Sequence, residues 1–64
     1  MPDRALIKKM VVFLTDAKGQ WTRLAETAEA ERKHDAALRA RNQEAHCELE
    51  IARLLDSLPA DERP

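Results

Sequence analysis

The chain has few of the residues that usually stabilise a small domain. Its 64 residues include one cysteine, one phenylalanine, one tryptophan and no tyrosine. Because Cys47 has no second cysteine to pair with, an internal disulfide is excluded. The core of so short a chain rarely contributes more than about 3–5 kcal/mol of net stability. We therefore expect a single domain over residues 1–64 whose remaining stability comes from association with another chain.

Proline and glycine, which interrupt helices, are nearly absent from the interior of the chain. Proline occurs only at positions 2, 59 and 64, and Gly19 is the only glycine. Strand-favouring residues are too few to build a sheet. Alanine, leucine, glutamate, arginine and lysine are abundant, and all of them favour helix. The composition predicts an all-α protein.

Long hydrophobic runs are also missing. The apolar run at residues 10–14 is too short to span a bilayer. Lys8 and Lys9 interrupt the segment in which the apolar part of a secretory signal would lie. We predict a cytoplasmic protein that does not bind membranes.

Neither sign of charge predominates, and the net charge of −1 argues against general nucleic-acid binding. The distribution is uneven, however. Residues 1–25 carry five basic and two acidic side chains, whereas the remainder carries six basic and ten acidic ones. Since opposite charges attract, this distribution favours a fold that places the two halves side by side.

The position of the turn separates two possible layouts. In the first, Gly19 ends a short helix, but antiparallel pairing around it would oppose apolar residues to polar ones. In the second, the chain turns near residues 32–35 with Asp35 as the N-cap of the next helix. In this layout, large apolar residues of the two helices lie opposite each other far from the turn, and alanines lie opposite each other beside the turn. We predict an antiparallel two-helix hairpin with helices at about 3–31 and 35–57 and a disordered tail from about residue 59.

One continuous helix in an antiparallel dimer would make the same pairings between two chains, so the pattern alone leaves that alternative open. In the hairpin, Gly19 lies inside the first helix at a cost of about 1 kcal/mol and marks a kink or a close helix contact. Helical periodicity predicts that the first helix faces the second through Leu6, Met10, Phe13, Ala17, Trp21, Leu24 and Ala28. The facing residues of the second helix are predicted to be Ala37, Ala40, Cys47, Ile51, Leu54 and Leu58.

Further apolar residues are left over and predict an interface with another chain. In the first helix these are Ile7, Val11 and Leu14, with Trp21 as a candidate interface anchor. In the second helix a separate stripe follows a 4-3-4-3 spacing, with a polar residue that can fix the register of a coiled coil. This stripe consists of Leu38, Asn42, Ala45, Leu49 and Ala52. Two hairpins joined along these surfaces would form a four-helix bundle or coiled coil.

Catalytic and metal-binding motifs are absent from the sequence. It contains no glycine-rich phosphate loop, no paired cysteines and no nucleophile elbow. Asn42, His46 and Glu50 share one helix face, but they would offer a metal only one strong ligand. A two-helix protein also has little concave surface for a substrate. We expect no enzymatic activity, no cofactor and no bound metal.

These features favour a non-catalytic protein–protein interaction module. We expect a small regulator, adaptor or inhibitor that forms a homodimer and docks on a larger protein through an apolar helical face. An alternative is a subunit or secretion-type chaperone that is stable only in a hetero-complex. The layout of two antiparallel helices in about sixty residues also resembles that of the plasmid RNA-binding Rop family, in architecture and without a shared motif. This resemblance implies an RNA-binding hairpin dimer. Apart from the resemblance, the residues of this sequence that would contact phosphates are the basic ones near the turn, Arg32, Lys33, Arg39 and Arg41.

Overall fold

The computed structural model describes residues 3–63 and consists of two antiparallel helices that pack against each other. The first helix, α1, spans Arg4–Ala30, and the second, α2, spans His34–Asp56. The described residues contain no strand. The all-α hairpin predicted from the sequence is therefore confirmed within one chain, which makes the continuous single helix incorrect.

The start of α1 is stabilised by Asp3, which is its N-cap residue. The Asp3 carboxylate accepts hydrogen bonds from the backbone N–H groups of Ala5, at 2.9 Å, and of Leu6, at 3.5 Å. These donors have no partner inside the helix, and a negative charge at this end also interacts favourably with the helix dipole. The predicted start at residue 3 is confirmed, while Pro2 lies outside the described residues.

Gly19 lies inside α1, as the hairpin layout predicts. Adding a Cβ atom to Gly19 would bring it within 4 Å of no neighbouring group. The suggestion that this glycine marks a close contact between helices is therefore wrong, because the space beside it is open.

The turn occupies residues 31–33 and is closed by backbone hydrogen bonds. The N–H of Lys33 donates to the carbonyl of Ala28 at 2.8 Å, and the N–H of Arg32 donates to that of Glu29 at 3.1 Å. This pair of bonds defines a Schellman motif, whose residue after the helix cap adopts left-handed geometry. Arg32 occupies that position with φ = 60°. The predicted N-cap role of Asp35 is incorrect, because Lys33 is the N-cap and Asp35 lies in the first turn of α2.

The chain folds back on itself after α2. Leu58 is buried, and Ala60–Glu62 form a short 3-10 helix. The Arg63 side chain donates hydrogen bonds to the carbonyls of Leu58, at 3.1 Å, and Asp56, at 3.0 Å. The Glu62 carboxylate forms ion pairs with the Arg4 guanidinium, at 3.3 Å, and with the Lys8 ammonium, at 3.6 Å. These pairs hold this segment against the start of α1. Where the sequence predicted a disordered tail, the structure places a segment anchored to both helices.

The core of the hairpin consists mostly of small residues. Ala25 is 0% exposed, but no large side chain among the described residues is fully buried. Alanines beside the turn let the two helices approach closely, and larger apolar residues are buried only near the open end. The buried residues are Ile7, Ala25, Ala28, Ala37, Ala40, Cys47 and Leu58. The predicted inward face of α2 is confirmed, since Ile51 and Leu54 of that set are half-buried and the other four are buried.

The inward face of α1 is rotated by about one residue from the predicted one. Ile7 and Ala25 are buried, whereas Leu6, Phe13 and Leu24, predicted to face α2, are more than half exposed. The seam also contains Lys18 and Thr22, whose polar groups bind Glu48 and Glu44 of α2. Apolar periodicity alone predicts a seam without such polar residues. They are tolerated here because carboxylates of α2 pair with the Lys18 ammonium and accept the hydrogen bond of the Thr22 hydroxyl.

Candidate interaction surfaces

The predicted stripe on α2 is exposed in the hairpin. Leu38 and Leu49, its two large members, are 61% and 51% exposed. Asn42, Ala45 and Ala52 are exposed as well, so the stripe runs along the side of α2 that faces away from α1. We call these five residues the α2 stripe. Its use as an interface remains a prediction.

A second apolar surface lies on α1, and sequence reasoning assigned it to the hairpin core. Leu6, Met10, Phe13 and Leu24 are between 44% and 72% exposed, with the half-buried Ala17 between them. Their helical spacing is as regular as that of the inward seam. Periodicity alone therefore finds both stripes but does not show which one faces α2. We call these five residues the α1 stripe.

Two grooves between the helices border the α1 stripe, and both open on the same face of the hairpin. The one near the turn has a volume of about 600 Å³, and its apolar lining is Trp21, Leu24, Ala28, Ala36 and Ala40. The one near the open end has a volume of about 430 Å³ and is lined by Lys9, Met10, Phe13, Leu14, Glu50 and Leu54. We call this side of the molecule the grooved face.

The four interface residues predicted in α1 lie on the seam between the helices. Ile7 is only 5% exposed and packs inside the hairpin, so its assignment to an outer surface is incorrect. Val11, Leu14 and Trp21 are half-buried. Leu14 and Trp21 still border the grooves. Because the seam is rotated by one residue, positions 6, 10, 13 and 24 are the exposed ones.

A polar network links the two helices on the opposite face from the grooves. The Arg41 guanidinium binds Glu29 through two parallel hydrogen bonds of 3.2 and 2.7 Å. It also donates to both carboxylate oxygens of Glu44, at 3.3 and 3.2 Å. The Thr22 hydroxyl donates to Glu44, and Lys18 pairs with Glu48 at 2.7 Å. A forked arginine–carboxylate pair fixes geometry better than a lysine pair does, so this network favours one register of the hairpin.

The network also shifts the ionisation of its members. The hydrogen bond from Arg41 lowers the pKa of Glu29 below 4.5. The pKa of Glu44 is lowered chiefly by the hydrogen bond from Thr22 and further by Arg41. The hydrogen bond to Glu48 raises the pKa of Lys18 above 10.5. In each case the charged form of the side chain is favoured by its partner across the helix pair, so these groups stay ionised at neutral pH and act structurally.

The basic residues near the turn are partly committed to contacts within the chain. Arg41 binds Glu29 and Glu44, and Lys33 pairs with Glu31 at 2.9 Å. These contacts leave fewer free cations for phosphate binding than the sequence suggested.

Residues 3–63 bring together no group of three potential metal ligands among His, Cys, Asp and Glu. Neither of the two long helices has a stretch long and apolar enough to cross a membrane.

No protein-family model matches this chain, and no curated protein or solved structure matches it either.

Proposed function

We propose that the hairpin is a non-catalytic protein–protein interaction module. In this role it forms a homodimer and docks on a larger protein as a regulator, adaptor or inhibitor. Its action is steric, because it covers a surface of the partner. The polar network described above stabilises the hairpin that presents the binding surfaces.

The observation that carries this proposal is the distribution of large and small apolar residues. Four of the seven buried residues are alanines, whereas seven large hydrophobic side chains are at least 44% exposed. Single exposed apolar residues are ordinary on protein surfaces, but contiguous apolar stripes mark interaction sites. Burial of such a stripe by a partner contributes about 25 cal/mol for each Å² of apolar surface removed from water.

The α2 stripe is the surface that we assign to the larger partner. Its 4-3-4-3 spacing suits a helix of the partner that lies along α2 as in a coiled coil. Asn42 lies within the stripe and is exposed. A polar residue in such a seam restricts the register that a partner helix can adopt.

The test is to capture binding proteins from the native host with the full chain as bait. The wild-type protein is compared with Leu49→Glu, which introduces a charge into the α2 stripe. Val12→Glu is the matched control, since Val12 is 62% exposed and lies outside both stripes. We expect one protein to be retained by the wild type and by Val12→Glu and to be lost with Leu49→Glu. Retention of the same proteins by all three baits would show that the α2 stripe does not bind them.

A second candidate is a subunit or chaperone that is stable only in a hetero-complex. It is favoured by the lack of any fully buried large side chain among the described residues. The two candidates differ in the behaviour of the purified chain. A regulator is folded on its own or as a homodimer, whereas an obligate subunit shows little helical circular dichroism until its partner is added.

A further inference from the structure

We propose that the grooved face binds the same face of a second copy of this chain, with like helices stacked antiparallel, α1 on α1 and α2 on α2. This inference rests on the proposed interaction function, and it adds the surface, the orientation and the residues of self-association. Two stacked hairpins in this arrangement form a four-helix bundle.

The large apolar side chains and the grooves on this face lie at similar distances on either side of the middle of the hairpin, so those of two antiparallel copies can fit together. Phe13 is the most exposed large side chain, at 72%, and it projects beside the groove near the open end. The other groove, bordered by Trp21, Leu24 and Ala28, lies at a similar distance from the middle on the turn side. A twofold axis that crosses α1 near Gln20 brings Phe13 of each copy to the turn-side groove of the other. The same axis places Leu24 opposite Ala17, so that a large residue faces a small one.

The charges on this face fit the same axis. Lys9 lies on α1 near the open end, and Glu31 lies in the turn directly after α1. On α2 the order is reversed, with Glu50 towards the open end and Arg39 towards the turn. Antiparallel stacking of like helices therefore brings Lys9 towards Glu31 and Glu50 towards Arg39 of the second copy. Lys9 and Arg39 make no ion pair within residues 3–63.

Two other stacking arrangements fit less well. A parallel contact of α1 with the α1 of the second copy cannot also stack α2 on α2 through the same face. It would bring Lys9 close to the second copy's Lys9 and Glu31 close to its Glu31, and like charges repel. Stacking α1 on the α2 of the second copy would cover the α1 stripe with Arg39, Gln43 and Glu50, which are polar. Only the antiparallel stack of like helices pairs the apolar stripe with itself and also pairs opposite charges.

The size of the face is sufficient for a stable contact. The hairpin measures 45 by 17 by 14 Å. Its broad side is thus comparable to the ~800 Å² that each partner buries in a specific interface of standard size. Asn42 of the α2 stripe lines the turn-side groove. The other four stripe residues, Leu38, Ala45, Leu49 and Ala52, line neither groove and remain accessible to a larger partner when this face self-associates.

The test measures the mass of the purified full chain by sedimentation equilibrium at several concentrations. We expect the wild type to dimerise, and Phe13→Glu to raise the dimer dissociation constant by roughly 30-fold or more, as for a central interface residue. Val12→Glu is the control, because it introduces the same charge at the neighbouring exposed position, outside the stripe. A wild-type monomer, or a dimer that Phe13→Glu leaves unchanged, overturns the inference.

A charge exchange tests the orientation and does not depend on Phe13. Lys9→Glu and Glu31→Lys should each weaken the dimer at low salt, and the double variant should recover much of the loss, because the reversed charges again face each other. Equal weakening by the single and double variants contradicts the antiparallel stack. Circular dichroism shows whether each variant keeps its helices.

Distance measurements between nitroxide labels provide a second check on orientation. Labels at Gln20→Cys are expected within about 20 Å of each other, whereas labels at Ala5→Cys should be about 45 Å apart, given a rise of 1.5 Å per residue. Cys47→Ala serves as the background, because the native thiol is buried. Short distances at both positions would show that the two α1 helices lie parallel to each other and would overturn the inference. A monomeric wild type would also remove the homodimer from the proposed function, whereas partner capture through the α2 stripe does not require the dimer and is tested separately by Leu49→Glu.

Discussion

Arg32 is the residue with the least favourable backbone geometry in the described chain. It is the only non-glycine residue there with a positive φ, at 60°. The left-handed region costs a residue with a side chain about 1–2 kcal/mol, and glycine normally occupies this position of a Schellman motif. No glycine is available near the turn, since the only one is Gly19. The hydrogen bonds that close the turn therefore hold Arg32 in a strained conformation.

Replacement of this residue is expected to stabilise the hairpin. Arg32→Gly should raise the free energy of unfolding by about 1 kcal/mol, because glycine adopts positive φ without steric penalty. For a domain of this size such a gain raises the melting temperature by about 4–8 °C. Thermal unfolding followed by circular dichroism measures the change.

Arg32→Ala is the matched control for this prediction. It removes the same side chain but keeps the Cβ atom that causes the strain. We expect its stability to stay within about 0.5 kcal/mol of the wild type, which is usual for an exposed position. Equal stabilisation by both variants would indicate that the arginine charge, rather than the backbone angle, is unfavourable at the turn.

At the scale of the elements, the segment after α2 acts as a part of the hairpin. Leu58 is 3% exposed, and the Arg63 side chain binds the carbonyls near the end of the helix. Glu62 is tied to α1 by Arg4 and Lys8. Pro59 ends α2 as the sequence predicts, and the burial of Leu58 was predicted as well. The ion pairs of Glu62 with α1 were not foreseen, because they depend on where the open end of α1 lies, which is not visible from the local sequence.

The contribution of this segment is measurable with one substitution. Leu58→Ala should lower the free energy of unfolding by about 2–3 kcal/mol, because it removes buried methyl groups and leaves a cavity. Val12→Ala is the control, since it shortens an exposed side chain and should change stability by about 0.5 kcal/mol or less. Urea unfolding of both variants provides the comparison. A loss below about 0.5 kcal/mol for Leu58→Ala would show that the segment does not pack on the helices in solution.

At the scale of the whole molecule, the charge network makes the pairing of the helices sensitive to acid. The pKa values of Glu29 and Glu44 are lowered in the folded chain by their partners on both helices. A carboxyl group with a lowered folded pKa binds protons more readily when the chain is unfolded. Its stabilising effect is therefore complete above the ordinary value of 4.5 and is lost as the pH falls through the lowered folded pKa.

We expect the midpoint of urea unfolding to fall as the pH is lowered from 6 to 3. The decrease should be smaller in Glu44→Gln, which keeps an acceptor for the Thr22 hydroxyl but has no carboxyl group to titrate. Glu26→Gln is the control, because Glu26 is exposed and lies outside the network. If Glu44→Gln and the wild type lose stability in parallel, the contact between Glu44 and Arg41 does not contribute to the acid sensitivity.

The helical character of this protein was predictable from the sequence. Helix formation depends on bonds between residues four positions apart and on local propensity, so composition and the positions of the prolines predicted helix from about residue 3 to 57. The pairing of apolar residues favoured a turn near residues 32–35 but left one continuous helix open. The inward face of α2 and the exposed α2 stripe were also predictable, because the larger residues of α2 divide into two clearly separated rows. The turn was predicted to within a few residues, but the positive φ of Arg32 was not predicted.

Which side of α1 faces α2 depends on contacts between the two helices and was not predictable from the sequence. Two apolar rows, one through Leu6 and Phe13 and one through Ile7 and Leu14, lie about one residue apart around α1. The chosen row includes Lys18 and Thr22, which become acceptable in the seam because Glu48 and Glu44 lie opposite them. Those partners are more than twenty residues away along the chain. Which row faces α2 therefore depends on the difference in energy between two sets of contacts across the helices. The periodicity of α1 alone carries no information about that difference.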